Sequence, residues 1–343
     1  MPFSPAKSVL RRPPFVPRRS TLVLCLLSFV LLLTACAQPP PYDPPQRTGT
    51  LPAVIRESSG LAASRRDPRI LWTHNDSGDQ PVLYALEANG ARRGILRLTG
   101  ARNIDWEDLA SFQLDGRAYL LIADVGDNAS QRTDCALLII EEPDPATLSP
   151  LDETPVRIAW TIPVSYLDGP RDVESVAVDP EAGLIYLLAK RTSPHGLYTL
   201  PLRIPADGVI PAATPVAQVP NAFFPQPSIS QALLPLPTGR YRTQPTGMDF
   251  AADGSAAVVL GYGDVLLFPR QNDEPWKTTL MRPPVVLAPH GFIQAEGVAF
   301  GADNCTIFVS SEGAGTSISR YQPTAKKSAE LLAAKNHPNS KNE

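Results

Sequence analysis

Residues 295–313 read Ala295-Glu296-Gly297-Val298-Ala299-Phe300, a turn at Asp303-Asn304, then Thr306-Ile307-Phe308-Val309-Ser310-Ser311-Glu312-Gly313. A short strand led by an acid, a tight turn and a second apolar strand make one antiparallel unit. The unit recurs upstream. Its opening phrase is Ser59-Gly60-Leu61-Ala62, then Glu107-Asp108-Leu109-Ala110, Glu174-Ser175-Val176-Ala177 and Thr246-Gly247-Met248-Asp249. Second strands are expected at 70–74, 118–123, 184–189, 256–261 and 306–310, and third strands follow most of them. The starts at 59, 107, 174, 246 and 296 are spaced by 48, 67, 72 and 50 residues, and the shorter spacings suit one four-stranded propeller blade. Dividing residues 48–321 into blades of about 46 residues predicts an all-β, six-bladed propeller. The sixth blade would be weakly marked in the proline-rich stretch 201–241. The alternative is a β-sandwich of similar short strands, but sandwich strands need not repeat.

Composition agrees with short strands. Proline supplies 38 of 343 residues, and proline breaks helix interiors. Hydrophobic residues make up 43% and charged residues 19%, which describes a globular chain and excludes a disordered one. The net charge of −3 hides an asymmetry, because Lys7, Arg11, Arg12, Arg18 and Arg19 precede any acid. Without those five, 26 basic residues face 34 acidic ones. So acidic a body lacks the basic footprint of a nucleic-acid binder. Gly-x-Ser-x-Gly, Gly-x-Gly-x-x-Gly, Walker-type and His-Glu-x-x-His motifs are also absent from the sequence.

The five basic residues are followed by an uncharged apolar run at 22–33, the layout of a signal peptide. The run is short for a retained membrane anchor, which is the alternative. Leu33-Thr34-Ala35-Cys36 resembles the bacterial lipobox, which implies cleavage after residue 35 and lipidation of Cys36. Ala37 after the cysteine implies the outer membrane, facing the periplasm or the surface. Residues 36–52, with Pro39-Pro40-Pro41 and Pro44-Pro45, are expected to form a stiff tether to a propeller domain at 53–322. Residues 323–343 are expected to be a disordered or short helical tail. Cys135 and Cys305 are left in an oxidising compartment, where two buried thiols are favoured over a disulfide. A monomer is expected.

The repeated phrase, best seen in residues 295–313, resembles the blades of the SMP-30/gluconolactonase and NHL propellers. His74-Asn75-Asp76-Ser77-Gly78, Asp105-Trp106-Glu107-Asp108 and Asp124-Val125-Gly126-Asp127-Asn128 together resemble a family of secreted bacterial propeller lipoproteins, with the phytase-related esterase-like domains as looser relatives. The SMP-30 resemblance implies a metal held by a blade-start glutamate with Asn and Asp residues of the channel. Here the matching residues would be Glu107 and Asp124, with Asn128 or Asn75.

In a propeller the inner strands converge on an axis, so Glu107, Glu174 and Glu296 should face one hole, with Ser59 and Thr246 in the matching places. A second ring is expected to align Asp76 and Asp124 with Lys190, Gly261 and either Ser311 or Glu312. Carboxylates so gathered repel one another unless a cation or a proton joins them. Oxygen-only donors favour a hard cation such as calcium. The metal candidates are therefore Glu107, Asp124, Asn128, Glu174 and Glu296, and the catalytic candidates are His74, Asp76 and Asp124. Competing structural roles stand beside these. Asp127-Asn128, Asp79 and Asp253-Gly254 suit turns, and Asp105 and Asp172 suit strand starts. Trp72 and Trp106 suit core packing, Arg171 and Arg191 suit ion pairing, and His74 suits a hydrogen-bonded wall. Three functions are open on this reading. They are a lipid-anchored envelope propeller binding a divalent cation and a small-molecule or envelope-protein ligand, a metal-dependent hydrolase of lactones, esters or phosphoesters, and a protein-interaction scaffold.

Overall fold

The structure is a computed structural model that describes residue 1 and residues 41–206, 208, 209 and 211–325. The stretch expected to be a signal peptide, apart from residue 1, together with Cys36 and residues 326–343 of the expected tail, lies outside the described residues. From the N-terminus, β1 (Gln46–Thr50) is followed by blade 1, made of β2 (Ser58–Ala63), β3 (Ile70–Asn75), β4 (Val82–Glu87) and β5 (Arg92–Thr99). Blade 2 is β6 (Trp106–Leu114), β7 (Arg117–Asp124) and β8 (Ala136–Glu141). The chain then crosses to β9 (Glu153–Arg157), which pairs parallel to β5, and returns as β10 (Trp160–Pro163), the outer strand of blade 2. Blade 3 is β11 (Val173–Asp179), β12 (Leu184–Ala189), β13 (His195–Pro201) and β14 (Thr214–Val219). Blade 4 is β15 (Pro245–Phe250), β16 (Ala256–Gly261), β17 (Val265–Pro269) and β18 (Val285–Val286). Blade 5 is β19 (Ala295–Phe300), β20 (Ile307–Ser311) and β21 (Ser317–Tyr321), completed by β1.

The inner strands β2, β6, β11, β15 and β19 each pack on the next, and β19 packs on β2. The ring therefore closes with five blades among the described residues, one fewer than the length arithmetic predicts. Two insertions account for the miscount. The excursion through β9 lengthens blade 2. The segment from 220 to 244 joins β14 to β15 through a 3₁₀ turn at Asn221–Phe223 and one short helix, α1 (Ile229–Ala232). Pro220, Pro225, Pro227, Pro235 and Pro237 fall in that segment, and each lacks the N–H a ladder needs.

Five separate cores fill the five gaps between blades. The pleat distributes each middle strand between two of them, since successive side chains point to opposite faces. In β7, Tyr119, Leu121 and Ala123 pack toward blade 3, while Leu120 and Ile122 pack toward blade 1. This is why the middle strands are continuously apolar rather than alternating. Trp72 and Trp106 are fully buried core residues, as the structural reading expected.

Closure involves residues that the sequence reading placed in the tether. β1 pairs antiparallel with β21, Tyr42 is buried, and its hydroxyl donates to the Cys305 carbonyl at 2.6 Å. The propeller thus begins by residue 42, not at 53, because an unpaired β21 would leave an open sheet edge. At the other end, Thr324 N–H donates to the Pro41 carbonyl at 3.0 Å. No disulfide joins Cys135 in blade 2 to Cys305 in blade 5.

Candidate metal centre

Every inner strand is irregular at one place. Register shifts fall between Ser58 and Leu61, Trp106 and Asp108, Val173 and Ser175, Pro245 and Gly247, and Ala295 and Gly297. The extra residue of such a bulge has no partner across the ladder, and its side chain can be turned out of the pleat. Those extra residues include Glu107, Glu174, Thr246 and Glu296, with Ser59 in blade 1, so the first expected ring stands on five equivalent bulges. Two of its members serve as fasteners between blades. Ser59 Oγ donates to the Glu107 carbonyl and Thr246 Oγ1 to the Ala295 carbonyl, both at 2.7 Å.

The second ring needs correcting. The last paired residues of the second strands are Asn75, Asp124, Ala189, Gly261 and Ser311. The next positions, Asp76, Val125, Lys190, Tyr262 and Glu312, are therefore the equivalent set, and Asp124 stands one residue out of step with Asp76. A single-residue offset in a strand reverses the side chain. Asp124 instead pairs with Arg132 at 2.8 Å and accepts the Asp105 backbone N–H at 3.1 Å. It positions Asp105 rather than joining the carboxylate cluster.

Three overlapping groups of carboxylates meet at this mouth: Asp76 with Asp105 and Glu107, Asp76 with Glu296 and Glu312, and Glu107 with Asp172 and Glu174. Within each, one oxygen per residue lies within 4.8 Å of the others. Asp105 and Asp172, expected only to start strands, are thus part of the site. Each precedes its bulge glutamate by two residues, a spacing visible in the sequence once the repeats are aligned. Glu312, given as an alternative to Ser311, belongs to it as well. Tyr262 is the residue the sequence reading missed, and only its equivalence to Lys190 would have disclosed it.

The two sides of the mouth are compensated differently. Lys190 Nζ forms an ion pair with Glu174 and lies 5.1 Å from the Tyr262 ring centroid. Arg191 pairs with Asp172 at 2.5 Å, and Asp172 also accepts the Asp127 N–H at 3.0 Å. Asn128 is bonded to Arg191, and Asn75 is occupied by the Arg56 and Glu57 N–H groups, the Val54 carbonyl and Asp79, so neither amide reaches the cluster. On the other side, Glu296 accepts the Tyr262 hydroxyl at 3.1 Å and Glu312 accepts the Gln294 amide. Glu107 is 3% exposed, and no hydrogen-bond donor reaches its carboxylate. The Gly126 backbone leans against it, and a Cβ there would fall 2.1 Å from Glu107 Oε1 and 2.5 Å from Asp105 Oδ2.

Burial and mutual repulsion hold protons on these groups. Burial, then Glu296 and Asp105, raise Asp76 to about 7, and burial, then Glu312, raises Glu296 to about 8. Burial with Glu174 and Asp76 raises Glu107 well above the carboxylate range, and Glu312 and Asp105 are raised for the same reasons. Burial opposes the charge on Lys190, but Glu174, Tyr262 and Glu296 outweigh it and hold the ammonium above its usual value. His74 lies in the wall instead. It is fully buried, its Nδ1 is 3.0 Å from the Asn75 carbonyl oxygen, its ring meets Trp106 edge-on, and burial lowers it to about 4. It is a neutral packing residue at ordinary pH and does not open onto the mouth.

No family model and no curated protein matches the chain. Among solved structures it is similar to XC5397 from Xanthomonas campestris, described as a gluconolactonase important in glucose secondary metabolic pathways. The likeness has a TM-score of 0.42 at 14% identity and covers 84% of this chain and 99% of that one.

Proposed function

We propose that the acidic mouth binds a divalent cation, calcium by the chemistry of its donors, and with it a small ligand. The supporting observation is Glu107. A carboxylate on a residue only 3% exposed, with no protein donor bonded to it and faced by further carboxylates, is costly unless a cation or a proton joins it. Every candidate donor is a carboxylate oxygen, a set that suits a hard cation. The residues that would hold it are Asp76, Asp105, Glu107, Glu296 and Glu312. Calcium takes six to eight oxygens, which leaves positions for water and for the ligand. Addition of calcium to the EDTA-treated chain should raise its melting temperature, and Glu107→Gln should abolish the rise. An unchanged melting curve in the parent protein would reject the reading.

A second reading, hydrolysis of a lactone, ester or phosphoester, is favoured by the gathering of Asp76, Asp105, Glu107, Glu296 and Glu312 at one mouth, where a cation would keep positions open for a substrate oxygen. A bound cation would polarise the oxygen of such a substrate. The Tyr262 hydroxyl, bonded to Glu296 at 3.1 Å, and the Lys190 ammonium, paired with Glu174, border the same mouth. Turnover across a panel of lactones, esters and phytate that is lost in Asp76→Asn would establish this reading. The absence of turnover in the parent protein would leave ligand binding alone. The proposal also includes lipidation at Cys36 and attachment to the outer membrane. Metabolic labelling with a tritiated fatty acid, lost in Cys36→Ala, tests it.

A further inference from the structure

We infer that the mouth is built for two divalent cations that share Asp76. The inference rests on the cation-binding reading above and concerns the same site. Seven carboxylates line the mouth, but those of Asp172 and Glu174 already have cationic partners in Arg191 and Lys190. The other five, Asp76, Asp105, Glu107, Glu296 and Glu312, have no ion pair. Once cations displace the protons and all five are ionised, one divalent ion would leave three negative charges uncompensated in a narrow, largely buried space, whereas two would leave one.

Geometry divides the five in the same way. Asp105 and Glu107 reach one point with Asp76, Glu296 and Glu312 reach another, and Asp76 alone belongs to both groups. Each arm thus has two carboxylates of its own and one bridging carboxylate, the arrangement that holds paired cations about 3.5–4 Å apart. The third group, on Glu107, Asp172 and Glu174, is a poorer cation site because Lys190 and Arg191 already occupy its charge. The burial of Glu107, whose carboxylate has no protein donor bonded to it, is an observation separate from charge counting and marks the Asp105 arm as unsatisfied without an ion.

The test is calcium titration calorimetry on the purified, EDTA-treated full chain, with native mass spectrometry as a second count. Two calcium ions per chain are expected. Asp105→Asn and Glu312→Gln should each reduce the count to one, and Asp76→Asn should weaken both sites at least tenfold. Each variant is read only after its melting curve shows a folded protein, and the two arm variants serve as independent checks. A count of one in the parent protein overturns the inference and leaves the cation-binding reading standing. A count of zero overturns both. A count that stays at two in both arm variants overturns the assignment of the ions to these arms.

Discussion

Glu107 and Lys190 illustrate the two ways in which this mouth handles a buried charge. Lys190 is satisfied by its ion pair with Glu174, so removing the ammonium strands a carboxylate that is itself 3% exposed. Breaking one half of a buried pair costs about 3–5 kcal/mol. Lys190→Met should therefore lower stability by that order in urea unfolding, and Lys190→Met combined with Glu174→Leu should recover much of it. Glu107 is the reverse case. With no donor to lose, Glu107→Gln should leave the metal-free protein as stable as the parent or more so, while removing the calcium-dependent gain. At a hundredfold excess over Kd that gain is about 2.7 kcal/mol in the parent protein. The pH response follows from the same residues. Asp76 and Glu296 have folded values near 7 and 8, above their unfolded ones. Between about pH 4 and 6.5, His74 and His290, lowered to about 4, offset them, so the folded state binds more protons between about pH 6.5 and 8. Stability of the metal-free protein should thus fall as pH rises through that window and level off above it. Calcium affinity should rise over the same window as the protons leave. Melting curves at pH 6.5 and 8, with and without calcium, check both signs, and a metal-free protein more stable at pH 8 would contradict them.

The five bulges are the elements that create the site. A regular β-ladder would have turned Glu107, Glu174 and Glu296 into the blade interfaces alternately with their neighbours, where no counter-charge waits. One extra residue per inner strand redirects them to the axis while the rest of each strand keeps its apolar register. The bulges explain why the opening phrases were legible as a repeat and why the second ring was not. Alignment by phrase matched Asp76 to Asp124, whereas pairing across the bulges matches Asp76 to Lys190, Tyr262 and Glu312. β1 is the other decisive element. It belongs to the start of the chain and completes the last blade, so the ring is fastened by both ends of the domain. Removal of residues 1–40 should leave the melting temperature of the soluble body within a few degrees, whereas removal through residue 52 should expose the β21 edge and give aggregated or non-cooperatively melting protein. Differential scanning calorimetry of the two truncations distinguishes these outcomes.

At the scale of the whole molecule, blades are joined through the axis as well as around it. The buried Asp108 carboxylate of blade 2 accepts the N–H of Leu109 at 2.8 Å, of Val176 in blade 3 at 2.7 Å and of Met248 in blade 4 at 3.2 Å. Asp249 similarly links Phe250 to Phe300 in blade 5, both at 2.8 Å. Asp108→Ala would orphan three buried donors at about 1–3 kcal/mol each, so a loss of at least 3 kcal/mol is expected by denaturant unfolding. A loss below 1 kcal/mol would show that the cross-axis bonds contribute little. The chain's own letters were enough to establish an all-β repeat, the positions of all five inner strands and four of the acids at the mouth, Asp76, Glu107, Glu174 and Glu296, because strand periodicity and turn chemistry are local. The number of blades, the part played by residues 42–50, and the meeting of Asp76 with Asp105, Glu296 and Glu312 were decided only in three dimensions. Closure depends on the angle at which whole blades pack. A single unpaired residue in a strand changes which side chains share a space without changing the local pattern from which a sequence is read.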